Sequence, residues 1–232
     1  MEEIKIQYCF QLPDKRQEIF DIVLDKQAVE AIDKNNSLTP DWTRLEFHQC
    51  PNCPWLEDDK PWCPVAMKLA SIVKKFKNIL SYDEIDLEVH TQERIIFQNT
   101  TAQRGIASYM GLVMATSGCP HTLFLKPMAR FHLPLASEEE TIYRAFSMHA
   151  LANYFLHPDK NDDKHPFNSL RKNYQTLQEV NVAIAKRLKA ASSTDSSVNA
   201  LINLDMYAKA MPYVVEESLE ELRYLFIPDQ DT

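Results

Sequence analysis

The chain has 232 residues, 33 acidic against 25 basic side chains, a formal charge of −8 and 45% hydrophobic residues. That size and apolar content suit one large globular domain or two small ones with a real core, and the negative balance argues against a nucleic-acid or anionic-membrane binder. With only three glycines, Gly105, Gly111 and Gly118, there is no Walker loop or dinucleotide fingerprint; no GxSxG elbow or HExxH pair occurs either.

The start, Met1-Glu2-Glu3-Ile4-Lys5, has no secretory pattern, and no apolar run approaches the roughly 18 residues of a membrane span. The expectation is a cytoplasmic protein. Ile4, Ile6, Tyr8, Phe10 and Leu12 alternate with polar residues, and Phe20, Ile22 and Leu24 repeat the pattern after Pro13-Asp14-Lys15-Arg16. This predicts a β-hairpin. A short helix over 26–34, a turn at Asn35-Asn36-Ser37 and a third strand around Leu45 and Phe47 are expected next.

From Pro64 the period lengthens. Val65, Leu69, Ile72, Val73, Phe76, Ile79 and Leu80 form one helical stripe, with Cys63 at the N-cap and Pro64 at the first helical position. Lys68, Lys74, Lys75 and Lys77 read as that helix's solvated side and last turn. Alternation returns at Ile85, Leu87 and Val89, and 95–98 adds another strand. The rest reads as helical: Ile106 to Met114, stopped by Gly118 as a C′ residue; Ser137 to Phe155, opened by a Ser137/Glu140 capping box; the stripe Leu170, Tyr174, Leu177, Ile184, Leu188; and two helices around 197–210 and 215–226 beyond a linker at 192–197. The predicted fold class is α+β. Residues 1–99 form a mostly antiparallel sheet with one or two helices, and 100–232 form a helical half, as a second domain or as part of one continuous domain.

The chemical signal is in the cysteines. Four of five, Cys50, Cys53, Cys63 and Cys119, are followed directly by proline, a residue of roughly 5% ordinary abundance. Proline fixes the local chain direction. Cys63 before one helix and Cys119 just past another, before a possible short helix from Pro120, would feel positive dipole ends that lower a thiol pKa and favour metal ligation. The spacing C-x2-C-x9-C-x55-C predicts one metal site with four thiolate ligands. An iron–sulfur cluster, [4Fe–4S] in first place, would serve electron transfer or redox sensing with a protein redox partner. Structural zinc in a protein-interaction module is the alternative. Cys50-Pro51-Asn52-Cys53 is also similar to the CPxC active sites of thiol–disulfide oxidoreductases, although Pro54 interrupts the helix that should follow.

Around this constellation, His48 and His121 lie two residues from Cys50 and Cys119 and could add ligands. Trp55 and Trp62 read as anchors of the cysteine loop. Lys126, Pro127, Met128, Arg130 and His132 mix basic and apolar groups where a cluster neighbour or ligand contact would fall, Met128 itself reading as core. His149 reads as a packed histidine. The His157–His165 loop reads as solvated, and Cys9 stays outside the site.

Overall fold

The computed structural model describes residues 2–32, 39–156, 167–191, 195–214 and 222–227. The predicted turn at 35–37, the loop 157–165, the linker residues 192–194 and most of the last helix fall outside them.

Four strands, β1 (Glu3–Gln11), β2 (Gln17–Asp25), β3 (Glu84–His90) and β4 (Ile95–Thr101), form an antiparallel sheet in the order β2-β1-β3-β4. The hairpin register pairs Tyr8 with Phe20 and Ile6 with Ile22, so the period-2 apolar positions share one face. Ile4, Ile6, Tyr8, Phe10, Phe20, Ile22, Ile85 and Leu87 are all buried.

Helices α1 (Pro64–Lys75) and α2 (Ala102–Ala115) cover that face. Phe76, which closes α1, meets Phe10 edge-on at 4.9 Å and stacks on Phe20 at 6.1 Å. Its complete burial contributes about 1.5–3 kcal/mol. Tyr109 of α2 packs 4.9 Å from Phe20. At Gly105 the first side-chain carbon of any other residue would lie 2.8 Å from Ile85 and 3.2 Å from Phe10, so glycine lets α2 settle this close to the sheet.

A short α3 (Lys126–Arg130) and three long helices follow: α4 (Glu138–Leu156), α5 (Asn168–Ala191) and α6 (Ser196–Val214). The α+β class is therefore as expected, with every helix but α1 following the sheet in the chain. The main core runs from the sheet through α1 and α2 into Val180, Ile184 and Leu188 of α5 and Ala200 and Leu201 of α6. A second core forms around Phe146, Leu170, Tyr174 and Leu177. The capping box forms reciprocally: Ser137 N–H donates to the Glu140 carboxylate at 2.7 Å, and Glu140 N–H donates to Ser137 Oγ at 3.1 Å.

Several expectations need correction. Residues 26–32 are not helical. The Asp25 carboxylate accepts from the N–H groups of Gln27 and Ala28, Val29 takes φ +50°, and Ala31 bridges back to Leu24; an aspartate turn has outcompeted the helix. Leu45 and Phe47 are not in a strand. A 3-10 turn, Asp41–Thr43, precedes them, and pairing there is one isolated bridge, Arg44 to Trp62. Gly118 takes the left-handed conformation, φ +83°, but α2 already caps at Thr116, so it lies one residue later than predicted. Ser196 and Ser197, assigned to the linker, are buried in the first turn of α6.

Candidate functional site

The four Cys-Pro cysteines do come into one neighbourhood. Cys50 feels the charge of Cys63, Cys119 and Cys53, and Cys119 feels that of Cys63 and Cys53. Yet among the described residues no group of three or more His, Cys, Asp or Glu side chains could hold a metal ion. The reading of Cys50, Cys53, Cys63 and Cys119 as the ligands of an iron–sulfur or zinc protein is overturned by that geometry. All five cysteines are free thiols.

The pKa argument also reverses. Burial first, then the neighbouring sulfurs, pushes the Cys50 thiol up to about 12. Burial raises Cys119 to about 11 and raises Cys63 as well, against hydrogen bonds from the backbone that pull both down. Desolvation outweighs whatever the helix ends contribute. A thiol held protonated, as Cys50 is, is the opposite of an activated exchange nucleophile, which removes thiol exchange; the electron-transfer and sensing roles fall with the metal reading.

The Cys-Pro pairs have local work instead. Cys63 (φ −72°, ψ 118°) is the N-cap of α1, and Cys119 (φ −68°, ψ 129°) is the N-cap of a 3-10 helix, Pro120–Leu125. A residue before proline is pushed to such extended angles, and proline at the first helical position loses no hydrogen bond. Cys50 and Cys53 close a turn through Cys53 N–H to Cys50 C=O at 3.0 Å. His121 bonds the Asn52 carbonyl through Nε2 at 2.7 Å, and His48 stands exposed with φ +47°, its ring edge-on to Phe47. Both histidines are turn partners here. Trp55 and Trp62 anchor the loop, under Lys60 at 4.0 Å and Arg44 at 5.2 Å. His149 is packed, bonded to Asn153 and Ser169.

Chemistry converges elsewhere. A cavity of about 200 Å³ lies among α2, α3, the loop 132–136, α4, α5 and α6. Leu112, Met128, Leu177 and Leu204 supply apolar wall; Ser108, His132, Arg144, Tyr174 and Asn181 supply the polar groups. Met128 packs on the second core, as its core reading expected, while also facing this space.

Most of the polar wall is already paired. The Tyr8 hydroxyl is shared between Ser108 Oγ at 2.8 Å and His132 Nε2, and Ser108 Oγ also accepts from Leu135 N–H at 3.1 Å. Burial raises Tyr8 far above its usual range and lowers His132 to about 3, with the Arg144 charge adding to the latter. The chain Ser108–Tyr8–His132 is therefore neutral at pH 7. Arg144 donates to the carbonyls of Met128 and Phe131, both at 2.9 Å, satisfying the end of α3. Burial lowers its pKa from a high starting value, with Glu140 and Tyr174 acting in the other direction.

Asn181 is unpaired at both of its polar atoms. It is 2% exposed and lines the cavity. Leaving a buried polar group unpaired costs about 1–3 kcal/mol. The residue was legible as an anomaly: Leu170, Tyr174, Leu177, Ile184 and Leu188 stripe α5, and Asn181 occupies the missing position of that stripe.

Fold and site together define an α+β protein whose helical part lines a small, mainly apolar, partly open cavity bordered by the unpaired Asn181 amide. Residues 6–227 match the family described as a domain of unknown function (DUF6901), and the chain belongs to that family. No curated protein and no solved structure matches it. No helix among the described residues is long and apolar enough to cross a membrane.

Proposed function

We propose that this protein binds a small, mainly apolar molecule carrying a hydrogen-bond donor beside an acceptor, a carboxamide or an undissociated carboxylic acid, in the cavity between α2 and α4–α6. Asn181 carries the reading. Its amide has one donor side and one acceptor side, both unpaired, and such a group is complemented by another donor–acceptor pair in a cyclic, two-bond arrangement. The size fits: an apolar cavity of roughly 150 Å³ accommodates a benzene, and this one is about 200 Å³. Concave apolar sites with a few placed polar groups are the usual form of small-molecule sites.

Benzamide is a suitable probe. Titrating it into the 15N-labelled protein should shift the Asn181 side-chain amide resonances. Asn181→Leu, close in volume and without polar atoms, should stabilise the unliganded protein by about 1–3 kcal/mol and abolish binding. An Asn181 amide that does not move, or an Asn181→Leu variant that binds benzamide as tightly as the wild type, would overturn the reading.

A further inference from the structure

Two of the three glycines have structural reasons to be glycine. Gly118 has φ +83°, and Gly105 sits where a side-chain carbon would strike Ile85 at 2.8 Å. Gly111 has neither. It lies inside α2, and among the described residues a side-chain carbon there would meet only Leu204 Cδ2 within 4 Å, at an ordinary 3.6 Å, with an unexceptional φ. Glycine in a helix interior is destabilising relative to alanine, so the position carries a cost that contacts among the described residues do not explain. What Gly111 does border is the cavity.

We infer that Gly111 is the clearance for the ligand's body, and that this body is a flat ring laid against the bare α2 backbone. The inference rests on the cavity being the ligand site proposed above. Asn181 on α5 holds the polar head, while the missing methyl on α2 leaves a shallow depression in an otherwise apolar wall of Leu112, Met128, Leu177 and Leu204. A planar ring fills such a depression with its face and cannot bend away from an intruding methyl. A short acyl chain can. The ligand class is thus an arene or heteroarene carboxamide or acid.

Calorimetric titration of wild type and Gly111→Ala with benzamide and with hexanamide tests this. The variant should fold with an unliganded Tm about 2–4 °C higher. Its benzamide affinity should fall about tenfold, the scale of one overpacked methyl, and its hexanamide affinity by less than about twofold. Retained benzamide affinity, equal weakening of both amides, or a lowered Tm in the unliganded variant would each overturn the assignment while leaving the cavity a binding site. Failure of the wild type to bind either amide would instead overturn the ligand site itself, and this inference with it.

Discussion

His132 is a titratable ring held neutral inside the protein, and that has a signed consequence for stability. Its folded pKa, about 3, lies below the ordinary 6.5 because burial penalises the charged form and Arg144 repels it. Between those values the unfolded chain takes up a proton that the native state refuses. Stability therefore rises with pH across the window and is lost as pH falls from about 6.5 towards 3, with a limiting slope of about 1.4 kcal/mol per pH unit for one proton. Urea unfolding at intervals from pH 7 to pH 4 should show that slope in the wild type. His132→Gln keeps a hydrogen-bonding group beside Tyr8 but cannot titrate, so its curve should be flatter by up to that amount. Equal slopes in the two proteins would mean that His132 is not held neutral.

At the scale of elements, the Cys-Pro pairs make a prediction opposite to that of a ligand set. Cys63 is the N-cap of α1, with the backbone N–H groups of Val65 and Ala66 directed at its thiol. Serine is among the preferred N-caps, worth about 1 kcal/mol over a non-capping residue, and this offsets the loss of a buried sulfur. Cys63→Ser should change the unfolding free energy by less than about 1 kcal/mol; a loss of several kcal/mol would show that the thiol does more than start a helix. The same elements show what a sequence makes visible. The hairpin, the start of α1 and the capping box of α4 were legible because period and cap chemistry are local. The helix expected over 26–34 was wrong because the Asp25 side chain competes for the backbone, and the strand at Leu45 and Phe47 because two apolar residues spaced by two do not make a ladder. The cavity had no motif to read: its wall is spread over six pieces of chain, and only Asn181 in an apolar stripe hinted at it. The rarity of the Cys-Pro pattern does not imply ligation, because proline after a helix cap explains two of the four pairs and a tight turn accounts for Cys50 and Cys53.

At the scale of the whole molecule, the irregular stretch between the hairpin and α1 meets the helical layer through His121 and Asn52 and, with three bonds, through Arg187. Arg187 of α5 is 1% exposed and donates to the carbonyls of Trp42, Arg44 and Leu45 at 2.9, 2.6 and 2.7 Å. Burial lowers its pKa while the Cys63, Cys50 and Cys53 sulfurs act to raise it. Its starting value is high enough that it keeps its charge at neutral pH. This explains how a segment without regular structure holds one conformation: its backbone acceptors are satisfied from outside, by a fork that reaches three carbonyls where lysine would offer a single ammonium. Leu45, 1% exposed, joins the main core at that point, and Cys63 N–H closes the segment on the Thr43 carbonyl at 2.8 Å. Arg187→Met would keep much of the apolar stem and strand the Trp42 and Leu45 carbonyls, while the Arg44 carbonyl keeps the Phe47 N–H at 3.3 Å. With each buried orphan costing about 1–3 kcal/mol, the variant should lose about 2 kcal/mol or more. Arg187→Lys should recover only part of that. The loss should also be localised: hydrogen exchange at the Leu45, Cys53 and Cys63 amides should accelerate more than at the β1 and β3 amides, because the sheet does not depend on this contact. A variant within about 1 kcal/mol of wild type, or one whose sheet and loop amides accelerate equally, would show that Arg187 is not what binds the two layers.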